Sequence, residues 1–256
     1  MRLRIGKETV ALGRLFDSLI LMKRRICILT LASLTLAHAE ELSLFNGSDL
    51  SAWKEPHGAW SVVAAVKLDP AKLTGFVTQA GQGVMLSSAK GKSANLTSTA
   101  EHGDAEIHIE FTVPKGSNSG IYIQGRYEVQ VFDSFGKAEI AEHDCGAIYQ
   151  RWDPARGKGH EGYEGHTARV NASKAPGEWQ SFDITFRAPR FDAAGKKKEN
   201  AKFVKVLHNG QVIHENVEMN GPTRGAKFAE EAALGPIVIQ GDHGPVAYRN
   251  LKITTH

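Results

Sequence analysis

The sequence predicts an all-β protein, a sandwich or jelly roll of short antiparallel strands. Three observations carry this: apolar and polar residues alternate in run after run, turn-forming residues separate the runs, and no segment keeps a long apolar period of 3.6 residues. The clearest run is 105–113, where Ile107, Ile109 and Phe111 share one face and Glu106, His108 and Glu110 the other. Similar runs occupy 60–68, 75–79, 84–88, 120–124, 127–131 and 179–187. Runs 202–207 and 212–217 flank Asn209-Gly210, the strongest short hairpin signal. Runs 236–240 and 246–253 flank Gly241-Asp242-His243-Gly244-Pro245 and read as a second hairpin. Only 228–234 has the composition of a short helix. The stretch 151–177 carries seven Gly or Pro residues and no apolar period; loops of that length are uncommon in compact domains and are often functional. A second loop, 188–201, holds Lys196, Lys197 and Lys198 and reads as a solvated hairpin tip.

The first 39 residues stand apart. Lys23, Arg24 and Arg25 precede an apolar run that ends in Ala37-His38-Ala39. A basic start, a short apolar middle and an Ala-x-Ala site are the parts of a secretory signal peptide, with cleavage expected before Glu40. The run falls short of the ~20 apolar residues that a membrane span requires. Met22 lies immediately before the basic cluster, so residues 1–21 read as an upstream extension. The expected organisation is a leader over 1–39 and a single domain over 40–256, exported to the periplasm or beyond the cell, without a transmembrane segment in the mature chain.

Removing the leader changes the charge argument. The whole chain of 256 residues has 31 Lys/Arg against 28 Asp/Glu, a formal net charge of +3. The leader holds 7 of those basic and 2 of those acidic residues, leaving 24 against 26, a net charge of −2. The basic excess vanishes, and with it any compositional case for nucleic acid. Cys27 leaves with the leader, so Cys145 stands alone and no internal disulfide is expected. At this length an apolar core is sufficient, since about 70% of the unfolded surface is buried on folding.

A series of short motifs runs through the chain in order. It comprises Phe45-Asn-Gly-Ser-Asp-Leu50 with Trp53, Asn118-Ser-Gly-Ile-Tyr122, Tyr127-Glu-Val-Gln-Val-Phe-Asp133 and Cys145-Gly-Ala-Ile-Tyr149. Asn171-Ala-Ser-Lys174, Gly177-Glu-Trp179, Ala188-Pro-Arg-Phe191, His208-Asn-Gly210, Gly221-Pro-Thr223 and Tyr248-Arg-Asn250 follow. Over about residues 44–254 the series resembles the 3-keto-disaccharide hydrolase family, also called domain of unknown function 1080. The resemblance implies a concanavalin- or laminin-G-like jelly roll of two curved antiparallel sheets, one holding sugars. Where the family often reads Leu-Gln-x-His-Gly, this chain has Ile239-Gln-Gly-Asp-His-Gly244, one residue more.

The candidate site centres on the 118–133 segment. Tyr122 shares a strand face with Gln124, and period two places Arg126, Glu128 and Gln130 on a common face of the next strand. Asp133 is five residues beyond Glu128, an offset that sends it to the other face unless a β-bulge near Phe132 intervenes; otherwise the strand ends there and Asp133-Ser134 begins a turn. Glu128-x-Gln130-x-x-Asp133 is similar to the Glu-x-Asp-x-x-Glu strand of laminarinase-type retaining glucanases. The likeness places Glu128 as nucleophile and Asp133 as acid/base, although Gln130 cannot ionise and Asp133 is one methylene shorter. Keto-sugar chemistry needs a base at C2, an electrophile for the enolate oxygen and a proton donor for the leaving group. Glu128 is the expected base, His243 or Asp133 the acid, and Arg126 or a metal the electrophile; a structural Glu128–Arg126 pair is the alternative. His243 lies in a glycine-rich turn that suits a functional histidine. Asn118, Tyr122, Arg126, Gln130, Gln240 and Arg249 are the expected substrate-binding residues, Arg249 being equally suited to a sheet-surface ion pair.

His160, Glu161, Glu164 and His166 cluster possible metal ligands, but Gly162 and Gly165 argue against a helix, and the segment reads as a solvated loop. The metal therefore stays unassigned: a divalent cation chelated by ketone and hydroxyl is chemically sensible, and no organic cofactor is expected. The leading function is an exported hydrolase acting on 3-keto-glycosides, by elimination and hydration or by direct hydrolysis, with carbohydrate as its partner. The rival is a non-catalytic carbohydrate-binding jelly roll; Trp152 and Tyr163 in the long loop suit either reading.

Overall fold

The computed structural model describes residues 40–89 and 91–256; the expected leader, residues 1–39, lies outside the described residues. Among the described residues sixteen strands follow in chain order. The first seven are β1 (Glu40–Ser43), β2 (Ser61–Asp69), β3 (Lys72–Leu86), β4 (Leu96–His102), β5 (Ala105–Thr112), β6 (Asn118–Ile123) and β7 (Tyr127–Phe132). Within the long loop lie β8 (Arg151–Trp152) and β9 (Gly162–Tyr163). Then come β10 (Gln180–Arg187), β11 (Arg190–Phe191), β12 (Lys197–Glu199), β13 (Ala201–His208), β14 (Gln211–Met219), β15 (Gly235–Ile239) and β16 (Ala247–Thr255).

Two antiparallel sheets make a sandwich. The larger runs β14-β13-β10-β5-β16-β3-β2, with β1 on the far half of β16; the smaller runs β4-β15-β6-β7. Their inner faces share one core. Ile107, Ile109, Phe111, Phe182, Ile184, Phe186 and Tyr248 enter it from the larger sheet, and Leu96, Ile121, Ile123, Tyr127, Val129, Val131, Ile237 and Ile239 from the smaller. Each such side chain contributes about 1.5–3 kcal/mol of burial. The sheets touch directly: the Tyr127 and Phe186 rings lie 5.6 Å apart, and Ser119 Oγ is 2.9 Å from the Tyr248 hydroxyl.

The all-β expectation holds, and the Asn209-Gly210 turn joins β13 to β14 with both residues at positive φ, 51° and 78°. Three local expectations change. The runs at 236–240 and 246–253 form no hairpin: β15 pairs with β4 and β6, and β16 with β1, β3 and β5. Both strands alternate against the same core, from opposite sides, so the glycine-rich connection crosses between sheets. Residues 228–234 form bends rather than a helix. The carbonyls of Glu230, Ala233 and Leu234 accept from Arg126 and Gln124 instead of from a following turn. The 75–79 and 84–88 runs belong largely to one strand, β3, which crosses Gly81 and Gly83.

Candidate active site

The alternation that buries Ile121, Ile123, Val129 and Val131 sends Asn118, Gly120, Tyr122, Glu128 and Gln130 to the outer face of the smaller sheet. Tyr122 stands opposite Glu128, and Gly120 opposite Gln130. Gln240 N donates to Gly120 O at 2.9 Å, which places Gln240 on the other side of Gly120. Beyond β7 the backbone of 146–149 adds another rung, Tyr149 N donating to Glu128 O at 3.0 Å. Two rows therefore cross the face: Tyr122, Glu128 and Tyr149, then Gln240, Gly120 and Gln130. The missing side chain in the second row matters. A Cβ on Gly120 would lie 2.8 Å from the carboxyl carbon of Glu128 and overlap its oxygen, so the carboxyl rests where a larger residue would stand.

Local sequence fixes this hairpin and its walls. Gln124 and Gly125 both take left-handed conformations, φ 53° and 64°, the geometry of a type I′ turn. Thr223 docks the 221–225 segment: its N–H donates to Arg126 O, and its hydroxyl accepts from Glu128 N at 3.1 Å. The loop after β15 is anchored by Gly241 N on Asn95 Oδ1 and by Ser117 Oγ on Pro245 O, leaving Asp242 and His243 exposed between the anchors. Together these elements enclose a cleft of about 350 Å³, lined by Asn118, Tyr122, Glu128, Gln130, Tyr149, Arg224, Gly225, Gln240 and His243. That volume is at the small end of ligand clefts.

Glu128 lies at the floor, 3% exposed. Burial, and secondarily the nearby Asp242 carboxylate, push its carboxyl up to about 8, although a hydrogen bond with the Tyr122 hydroxyl opposes the shift. The shift favours the protonated form near neutral pH. Burial and the adjoining Glu128 likewise hold the Tyr122 phenol well above its ordinary range. On the cleft wall His243 Nδ1 lies 2.6 Å from Asp242 Oδ1. The aspartate accepts from Nδ1–H, which orients the ring and leaves Nε2 to exchange protons. A retained proton and an oriented imidazole thus share one cleft, the arrangement of an acid and a base.

The floor also carries hydrogen-bonding capacity in waiting. Asn118 Oδ1, Gln130 Oε1 and Gln240 Oε1 are buried without a partner among the described residues. Leaving such groups unmet costs about 1–3 kcal/mol each, a penalty that hydroxyl donors from a ligand would relieve.

The structure thus brings Asn118, Tyr122, Glu128, Gln130, Gln240 and His243 together and removes three expected members. Arg126 does not reach the cleft: its Nε donates to Glu230 O, its Nη1 to Gln124 O at 2.8 Å, and its guanidinium lies 5.1 Å from the Phe228 ring centre. The hairpin turn places it just ahead of β7, where those carbonyls satisfy it; no Glu128–Arg126 pair forms among the described residues. Asp133 lies past the end of β7, whose register with β6 contains no bulge, and its carboxylate accepts from Gly116 N at 2.9 Å. The turn alternative describes it. Arg249 belongs to the larger sheet, bonded to Glu110 at 2.6 Å and stacked 4.1 Å from the Trp179 ring centre, so the ion-pair alternative holds. Cys145 is a buried thiol, pushed up to about 12 by desolvation. His160, Glu161, Glu164 and His166 do not converge, and no group of three potential ligands of the His/Cys/Asp/Glu kind gathers among the described residues. No helix there is long and apolar enough to cross a membrane.

Sequence reasoning missed Tyr149, Arg224, Gly225 and the structural role of Gly120. Gly120 and Tyr149 each lie in a motif of the series, but their places beside Glu128 depend on pairing that alternation does not encode.

Comparison with known proteins agrees with this architecture. The model of the 3-keto-alpha-glucoside-1,2-lyase-like domain family matches residues 40–254. The chain belongs to this family. A candidate glycosyl hydrolase from Parabacteroides distasonis is 26% identical, covering 84% of this chain and 84% of its own, with a TM-score of 0.60. Two further proteins of that description and organism share the fold, at 20% and 14% identity and TM-scores of 0.54 and 0.51. They cover 85% and 84% of this chain and 100% and 94% of their own. No curated protein matches the chain significantly. By family and fold this is a glycosyl hydrolase- or lyase-like, carbohydrate-active protein.

Proposed function

We propose that the protein cleaves 3-keto-glycosides by elimination across C1–C2 followed by hydration. The observation that carries this reading is the buried carboxyl of Glu128, which desolvation holds toward its protonated form, in a cleft also lined by His243 with its imidazole oriented by Asp242. The family description, a 3-keto-alpha-glucoside-1,2-lyase-like domain, supports chemistry at that bond. A ketone at C3 acidifies the C2 proton. His243 Nε2 takes it, the C1–O bond breaks as the C1–C2 double bond forms, and Glu128 protonates the departing oxygen. Water then adds at C1 while C2 regains a proton, which makes the net reaction a hydrolysis. Sequence reasoning casts Glu128 as the base; its retained proton makes it the acid instead. Asn118, Gln130 and Gln240 accept hydroxyl hydrogen bonds and orient the ring. Export supplements this reading: the basic cluster, apolar run and Ala37-His38-Ala39 support cleavage that leaves Glu40 as the first residue.

Leaving-group dependence tests the acid role. Glu128→Gln keeps shape but removes the proton, so turnover of a 3-keto-disaccharide should fall about 10²–10⁴-fold. A nitrophenyl aglycone, which leaves without protonation, should lose far less. Equal losses on both substrates would refute the acid role. Product formed in heavy water should carry deuterium at C2, after correction for exchange of the free keto-sugar; unlabelled product would indicate direct displacement, and binding without turnover a carbohydrate-binding module.

A further inference from the structure

We propose that Arg224 is the catalytic cation that takes up negative charge on the substrate's C3 oxygen when C2 is deprotonated; this assignment rests on the elimination reading above. With His243 as base and Glu128 as acid, the enolate oxygen still needs an electrophile. Arg126, expected in that role, is occupied by backbone carbonyls away from the cleft. Arg224 is the one lining residue with a permanent positive charge.

Its surroundings leave it free for this task. Asp242 pairs with His243 and Glu164 with Arg151, neither with Arg224. Among the described residues the Arg224 side chain makes no ion pair or hydrogen bond; its guanidinium carbon lies 3.7 Å from the centre of the Trp152 ring. Stacking covers one face of the planar group and leaves its edge N–H groups to meet an anion, the geometry in which arginine binds oxyanions. The main chain beneath it is fixed. Arg224 N donates to Gln150 O at 2.8 Å, Thr223 is tied to β7, and Gly225 approaches Tyr122 so closely that a Cβ would lie 2.9 Å from its hydroxyl. The cation is thus held on an anchored arch over the row that carries Glu128.

The step balances. The C2–H electron pair forms the C2–C3 double bond, the carbonyl pair moves onto the C3 oxygen opposite Arg224, and the proton goes to His243. On return the C3 carbonyl re-forms, the C1–C2 double bond appears, and the C1–O pair leaves with the proton of Glu128. Arg224 acts only on charge that develops during reaction, so its removal lowers kcat more than it raises KM.

The test uses the full chain with two probes, a 3-keto-disaccharide for turnover and a 3-keto-glucoside whose glycosidic oxygen is replaced by a methylene for C2 hydrogen–deuterium exchange. The second enolises but cannot eliminate. Arg224→Gln should slow C2 exchange and kcat by about 10²–10³-fold, the loss typical of one oxyanion donor, with KM changed only a few-fold. Arg224→Lys should fall between wild type and Arg224→Gln, and Trp152→Leu should lose less than either. The side chain is exposed, so unfolding midpoints should match wild type. Wild-type exchange that Arg224→Gln leaves intact would overturn the role of Arg224 while leaving the elimination standing. A raised KM with unchanged kcat would make Arg224 an aglycone anchor instead and overturn the proposal. Absence of both exchange and aglycone release in the wild type would sink the elimination reading, and this role with it.

Discussion

Replacing Glu128 by glutamine should change how stability depends on pH, independently of any substrate. Burial raises the native carboxyl from 4.5 to about 8. Below pH 4.5 both folded and unfolded chains hold the proton, and ionisation contributes nothing. Between 4.5 and 8 the unfolded chain has released it and the native protein has not, so rising pH favours unfolding. The slope is about 1.4 kcal/mol per pH unit, which over this window gives a ceiling of about 5 kcal/mol. Glutamine never ionises and keeps the hydrogen bond to Tyr122, so the variant escapes this penalty. Urea unfolding of both proteins from pH 4 to 9 measures it. The stability difference, variant minus wild type, should be flat below pH 4.5, grow with pH and level off above 8; other ionisable groups cancel in the subtraction. Parallel profiles, or a wild type that gains on the variant as pH rises, would refute the claim that Glu128 is buried as an acid.

Three further outcomes follow from the same geometry. Burial lowers His102, His208 and His214 from 6.5 to about 4, so the native state resists protons that the unfolded chain binds; stability should drop as pH falls from 6.5 to 4, read by unfolding midpoints. Because Glu128 must donate a proton, kcat/KM should decline above about pH 8; a profile that shows no falling limb there would remove Glu128 as the acid. Gly120→Ala should displace the Glu128 carboxyl and reduce turnover by about 10²-fold or more, while circular dichroism and the unfolding midpoint stay close to wild type. Full activity in that variant would show that the carboxyl position is immaterial.

How far the sequence was legible varies with the range of the cause. Ile107, Ile109 and Phe111 declared a core-facing strand because side-chain direction alternates residue by residue. Asn209-Gly210 declared its hairpin because left-handed backbone is a property of those two residues. The same period-two argument put Glu128 and Gln130 together on one face, where the structure has them, and it assigned Arg126 to that face as well. There it failed, since the hairpin turn begins at the position where the count assumes regular strand.

The sequence by itself therefore determined the strands, their buried faces and the motif series that marks the family. Beyond the local Asn209-Gly210 hairpin, tertiary structure decided which strands are neighbours, so that β15 and β16 part into different sheets and carry Asp242 and His243 across the gap. It also decided that Gly120 leaves room for a carboxyl, that burial favours the protonated form of that carboxyl, and that Arg224 rather than Arg126 lines its cleft. Alternation is a local rule fixed by the backbone of each residue. Pairing, desolvation and charge placement depend on which distant segments cover a given face, and those segments meet only when the chain has folded.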